Sequence, residues 1–359
     1  MSQLRFAVIG AGCGGQSLAA VLAGQGCRVA LMDRDRAVVQ ALRERGRITL
    51  TGKLRLEAAP ALITEDAEEA IAGADVILVA TTADGHEEAA RSIAKAIAPG
   101  QLVVLNPGMF CGSLAFRTAL ARYGCPHPIL VAETADLIYA CRRAGGVGEV
   151  FHSGLKKSMA LAAVPAGEAE RVTELLKPYF PILTPAKDIL HTSLTNIGPV
   201  LHCVPMLMNV NRLDAGEGFD YYMEGITPSI ARMAEAVDAE RVALAKALGV
   251  EAVSAAQSVK SAYGLTGDTL YEVIQANEAY RGIRSPTSLA HRFCAEDTFG
   301  SLVGFATLGR ELGVPVPAME AVVRCISMAA GIDYFQTGRT AEKVGLKGRT
   351  AAEITALIR

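Results

Sequence analysis

A chain of 359 residues, 51% of them hydrophobic, exceeds one ordinary core and predicts two domains. Its 35 Lys and Arg against 37 Asp and Glu leave a formal charge of −2, which provides no footprint for nucleic acid. Mean hydropathy is +0.28, but no apolar run is long enough to span a membrane.

The first apolar run, Leu4–Ile9, is too short for a secretion signal and stops at glycine, the pattern of a strand buried on both faces. Helical spacing over Gln16–Gly24 follows. The rhythm continues with Arg28–Met32 (strand), Arg36–Arg45 (helix), Asp75–Ala80 (strand) and His86–Ala98 (helix). Gln101–Leu105 (strand), Ser113–Tyr123 (helix) and Pro128–Ala132 (strand) complete it. Such alternation implies βαβ units and a parallel, doubly wound sheet. From Asp136 to Ala163 short runs with Gly-rich turns predict antiparallel strands at that sheet's edge.

After Leu183 the alternation stops. Ile189–Val210, Thr227–Leu248, Val253–Tyr263, Ser301–Leu312 and Pro317–Ala330 read as helices. Thr227-Pro228 supplies an N-cap and an N1 proline, and Thr350 to Glu353 forms a capping box. The expected architecture is an α/β domain over residues 1–187 followed by an all-α domain over 188–359. The eight cysteines (13, 27, 111, 125, 141, 203, 294 and 325) include no C-x₂-C pair. Neither a metal cage nor a disulfide framework is expected, and reduced thiols fit a cytoplasmic protein.

Gly10-Ala11-Gly12-Cys13-Gly14-Gly15 is G-x-G-x-x-G after a strand and at the start of a helix, the context of a Rossmann dinucleotide site. Gly10 permits the tight turn, Gly12 admits the pyrophosphate, and Gly15 lets helix and strand close up, with the helix N-terminus facing the phosphates. Asp33 ends the second strand, where a carboxylate accepts from the adenosine ribose and repels a 2′-phosphate. NAD(H) is therefore favoured; Arg34 and Arg36 follow at once, so NADP(H) stays open. Other strand ends should line the same cleft: Thr81, then Asn106-Pro107-Gly108, then Glu133-Thr134.

Within Ile189–Val210, His191, Thr195, Gly198 and His202 fall on one face of a helix that Pro199 and Pro205 must kink. Arg292-Phe293-Cys294-Ala295-Glu296-Asp297 brings a guanidinium and two carboxylates just before another helix. Reducing a C=O or C=N bond needs a proton opposite the hydride, and imidazole, which ordinarily titrates near 6.5, can donate it at neutral pH. A carboxylate on the other ring nitrogen would fix the tautomer.

The strings from Leu190 to Asn196, Leu201-His202, Tyr221 to Ser229 and Tyr280 to Ile283, with the glycine motif and Asn106-Pro107-Gly108, resemble the opine dehydrogenases along essentially the whole chain. The resemblance implies NAD(P)H-dependent reductive condensation of an α-keto acid with an amino acid through an imine. It maps the catalytic histidine onto His202, its partner onto Asp297 and the substrate-carboxylate arginine onto Arg292, and it implies a homodimer. Thr134 and Tyr280 are further substrate candidates, the latter in a polar loop with Arg281 and Arg284. After the acidic pair the chain departs from the family pattern, reading Thr298-Phe299-Gly300-Ser301-Leu302-Val303-Gly304.

Two other classes remain. Hydroxy-acid dehydrogenases of the ketopantoate or glycerol 3-phosphate type share this layout but use a lysine acid, and no lysine occurs between Lys187 and Lys246. A non-catalytic NAD-sensing protein would need no His–carboxylate pair.

Overall fold

The computed structural model describes residues 3–359, which divide into a unit running to Thr192, joined by Ile358–Arg359, and a second unit, Ser193–Leu357. The twelve strands of the first are β1 (Phe6–Ile9), β2 (Val29–Met32), β3 (Ile48–Gly52), β4 (Leu56–Ala58), β5 (Leu62–Thr64) and β6 (Val76–Val79), then β7 (Leu102–Leu105), β8 (Leu130–Thr134), β9 (Tyr139–Arg143), β10 (Glu149–Leu155), β11 (Met159–Val164) and β12 (Leu183–Pro185).

Eight of them form one sheet in the order β12-β11-β8-β7-β6-β1-β2-β5, parallel except where β11 runs against β8. The central strands bury both faces. Phe6 and Val8 of β1 enter one apolar cluster with Val76, Leu78 and Val104, while Ala7 and Ile9 enter the other with Ile77, Val79 and Val103. This two-sided burial is why these segments read as continuous apolar runs rather than alternating ones.

The segment Asp136–Ala163 does not simply edge this sheet. Only β11 joins it; β9 and β10 belong to a second sheet, β4-β3-β10-β9, in which β10 runs parallel to β3. The cause is the helix Cys13–Gly24, buried along both sides. Leu18 and Leu22 pack in one cluster with Ile48, Leu50 and Val150 from the second sheet. Ser17 Oγ donates to Cys13 O at 2.8 Å and takes the Nε2 proton of buried His152 at 2.9 Å.

Among the described residues the second unit has no strand, only the bridge Asp220–Arg284. Its longest helix, Pro228–Ala247, starts at Thr227, whose Oγ1 accepts from Ile230 N at 3.4 Å. Arg241 on this helix is buried against Asp238 at 2.7 Å and also donates to the carbonyls of Leu194 and Val253. Asp238 accepts from Ala255 N at 2.6 Å, so the buried pair is satisfied on both sides.

Ile189–Val210 is not one kinked helix. It breaks into Ile189–Leu194, Gly198–Met208 and Val210–Asp214. Asn196 Oδ1 accepts from Gly198 N at 2.8 Å, the new helix starts at Gly198 with Pro199 in its first turn, and Asn209 Nδ2 donates to Pro205 O at 2.8 Å near its end. Proline favours a helix's first turn and disfavours helical backbone just before it. The shared face assigned to His191 and His202 therefore does not exist, and the unit boundary falls between them.

Candidate active site

In the first unit the glycine motif is built as its spacing requires. Gly10 has φ +100°, and a Cβ there would lie 3.0 Å from Ala80 O. A Cβ on Gly15 would lie 1.8 Å from Gly10 O, so helix and turn touch through bare backbone; one on Gly12 would meet nothing. Cys13 and Gly14 open the helix, which has no side-chain cap at Gly12. Its first-turn N–H groups lack helical partners and suit phosphate.

Asp33 secures this turn as well as ending β2. Its Oδ2 accepts from Ala11 N at 2.6 Å and its Oδ1 from Asp35 N at 2.9 Å. A cavity of about 400 Å³ is lined by Gly10, Gly12, Asp33, Arg34 and Thr81, among others. Asp84, Glu88 and Ser92 line it too, and no motif marked them.

Asn106 is 1% exposed. Its Oδ1 accepts from Thr134 Oγ1 and from Ile138 N, each at 3.0 Å, which turns the amide nitrogen away from both. Asn106 Nδ2 and Thr81 Oγ1 are buried without a protein partner. Orphaned polar atoms are costly, and here they stand at the ends of β7 and β6, where ligands bind in such sheets. An open approach at Gly12, a carboxylate at Asp33 and two orphaned polar atoms fit a dinucleotide. Pro107 follows Asn106, half-buried, and Thr134 serves Asn106 through its hydroxyl rather than standing free.

In the second unit the sequence pairing is present. His202 Nδ1 lies 2.6 Å from Asp297 Oδ2, with side chains 18% and 11% exposed. A carboxylate has no proton to give, so the proton of this bond sits on Nδ1 and Nε2 lies outside it. Phe293 stacks on the imidazole at 3.9 Å and 5°, and Tyr221 donates to the carbonyls of Leu201 and His202, each at 3.2 Å. Asp297 is delivered by the turn Ala295–Asp297, which continues through a π-helical stretch, Thr298–Leu302, into Val303–Glu311. The departure from the family pattern is thus a wide helical turn immediately after the carboxylate.

Arg292 is exposed, with its guanidinium 5.6 Å from the Phe293 ring. His291 beside it is pushed down to about 4 by burial and then by the Arg292 charge, so it is neutral near pH 7. Tyr280 does not reach His202; it stacks on Tyr222 at 4.2 Å. Its loop is stitched to the Phe219–Tyr221 segment by Tyr221 N to Ile283 O and Ser285 N to Phe219 O, each 2.8 Å. Phe293 and Tyr222 pack around His202 from 91 and 20 residues away along the chain, contacts for which no local pattern gives a signal.

Among the described residues no helix is long and apolar enough to cross a membrane, and no group of three His, Cys, Asp or Glu is placed to hold a metal. Residues 185–330 match the family described as NAD/NADP octopine/nopaline dehydrogenase, alpha-helical domain. Residues 6–109 match ketopantoate reductase PanE/ApbA. The chain is 40% identical over 98% of both lengths to an opine dehydrogenase of Arthrobacter sp. (strain 1C). Among solved structures it resembles octopine dehydrogenase with NADH and L-arginine, at TM-score 0.82 and 20% identity over 99% of this chain and 98% of that one. The structure described as octopine dehydrogenase with NADH and pyruvate covers the same shares at TM-score 0.77 and 20% identity. The ketopantoate match stops at residue 109, while the likeness to the Arthrobacter enzyme spans both units.

Proposed function

The chain belongs to the opine dehydrogenases, a family of NAD(P)-dependent oxidoreductases, and we propose that it condenses a pyruvate-like α-keto acid with the amino group of an amino acid and reduces the imine. The observation that carries this reading is the 2.6 Å bond between His202 Nδ1 and Asp297. His202 holds a second proton on Nε2 and releases it to the oxygen leaving the carbinolamine, while Asp297 orients the ring and stabilises its charge. Arg292 grips the keto-acid carboxylate as a planar fork, and Tyr280, stacked on Tyr222, shapes the substrate site beside it; buried Thr134 instead holds Asn106 in the dinucleotide unit.

Residues 1–187 take the dinucleotide and 188–359 the substrates. Gly10, Gly12, Cys13, Gly14 and Gly15 hold the pyrophosphate, and Asp33 takes the adenosine ribose. Arg34, Thr81, Asn106 and Pro107 complete the cofactor set, and when bound NAD(P)H supplies the hydride. NADH is the favoured form, supported by the carboxylate at Asp33. The eight free cysteines support a reducing, cytoplasmic setting, and we assign the assembly as a homodimer, checked by light scattering.

The decisive experiment follows NADH oxidation with pyruvate, 2-oxoglutarate or glyoxylate, alone and with a panel of amino acids, and identifies the product by mass. Oxidation that requires both organic substrates supports the reading. Oxidation by the keto acid alone would make the protein a hydroxy-acid dehydrogenase, and binding without turnover would make it a sensor.

A further inference from the structure

The nitrogen of His202 that must do the chemistry already has a protein neighbour. With Nδ1 committed to Asp297, Nε2 faces Tyr222 Oη at 3.3 Å. We propose that Tyr222 is a positioning residue for the reaction, its hydroxyl donating to Nε2 of the neutral ring and accepting from Nε2–H of the charged ring. A phenol suits this task because it carries one donor and two lone pairs, and so matches both protonation states without moving the ring. The proposal rests on the opine dehydrogenase reading for the reaction it serves, not for the contact itself.

The surroundings hold that hydroxyl in place. Tyr222 is 6% exposed. Its ring is stacked on Tyr280 at 4.2 Å and meets Tyr221 edge-on at 4.9 Å, and the Tyr280 loop is tied back to the same segment by backbone bonds. Neighbouring tyrosines thus have separate tasks: Tyr221 anchors the helix backbone at Leu201 and His202, and Tyr222 meets the ring. Phe293 closes one face of the imidazole, so Nε2 keeps a single heading in the ring plane.

The titratable groups around the ring are Asp297, Tyr221, Tyr222, Cys203, Cys294, His291 and Arg292. Burial pushes the Cys203 thiol well up and Cys294 to about 12, Tyr221 also rises, and His291 stays neutral down to about 4. Asp297 and Arg292 are the acidic and basic side chains of this set. Against that background the Tyr222 hydroxyl favours the protonated ring, because a hydrogen bond to a charged group is about twice as strong as a neutral one.

The test is Tyr222→Phe, read by the ¹⁵N titration of the His202 ring, which needs no substrate, and by steady-state kinetics. The variant should titrate at lower pH than the wild type. Its kcat should fall about fivefold to tenfold, the worth of one hydrogen bond, with NADH affinity and keto-acid KM held. Tyr221→Phe should lower the unfolding midpoint and leave the His202 titration in place. An unchanged titration in Tyr222→Phe, or an equal shift in Tyr221→Phe, overturns the proposal. Should Tyr222→Phe fail to fold, the wild type decides: neutral His202 must carry its proton on Nδ1 with Nε2 as a hydrogen-bonded acceptor, and a proton on Nε2 refutes the arrangement. If no pair of organic substrates turns over, the reaction class fails, while the titration still judges Tyr222.

Discussion

Replacing Asp297 by asparagine keeps the shape of the side chain and removes the charge that meets His202 Nδ1 at 2.6 Å. The pair is largely out of water, at 18% and 11% exposure, so solvent screens it little. A charge-assisted hydrogen bond of this kind contributes about 1.5–3 kcal/mol, and about 1.4 kcal/mol is a factor of ten in rate. In the proposed roles the imidazolium that Asp297 stabilises is the proton donor, so kcat should fall by roughly 10- to 150-fold. His202→Ala removes the donor and should lower kcat by about a hundredfold to ten-thousandfold. The double variant should be little worse than His202→Ala, since residues that act as one unit are far from additive. The assay is stopped-flow NADH consumption with both organic substrates saturating, paired with a fluorescence titration of NADH affinity, which should not change. If the two losses multiply in full, or if Asp297→Asn turns over at the wild-type rate, the dyad is not the catalytic unit.

Four further results follow from the same geometry. Asp33→Ala should weaken NADH far more than NADPH, measured by binding of each; a wild type that prefers NADPH would shift the assignment to Arg34 and Arg36. Gly15→Ala puts a Cβ 1.8 Å from Gly10 O, whereas Gly12→Ala meets nothing, so the first should lose both thermal stability and NADH binding and the second only binding. Arg241→Met strands Asp238 in the core and should cost about 3–5 kcal/mol in urea unfolding; Arg241→Met with Asp238→Leu should recover part of that loss. Burial pushes the thiols of Cys203 and Cys294 up, so both stay protonated at pH 8 and should resist iodoacetamide in the native protein. Exposed Cys325 should be alkylated first, as peptide mass mapping would show.

Much of the first unit was readable from local pattern. The runs now forming β1, β2, β6 and β7 are uniformly apolar because each is covered on both faces, β8 is apolar as far as Ala132, and Gly10, Gly12 and Gly15 mark places where a side chain would block a turn, a ligand or a neighbouring backbone. Residues 46–74 carried no such signal. They hold β3, β4 and β5, and β3 finds its partner β10 about a hundred residues away, a pairing that no short window contains.

The active-site candidates divide along the same line. His202, Asp297 and Arg292 were legible as residue types in recognisable strings, and helical spacing also proposed His191 beside His202. The structure parts those two, because a fresh helix begins at Gly198, whose N–H donates to Asn196 Oδ1, with Pro199 in its first turn. It also brought Phe293 onto the imidazole and Tyr222 to its Nε2, contacts spanning many residues of chain. Sequence determines where the backbone must turn and which side chains share a face, since both depend on nearest neighbours. Which distant groups meet, and through which atom, is decided only when the elements pack.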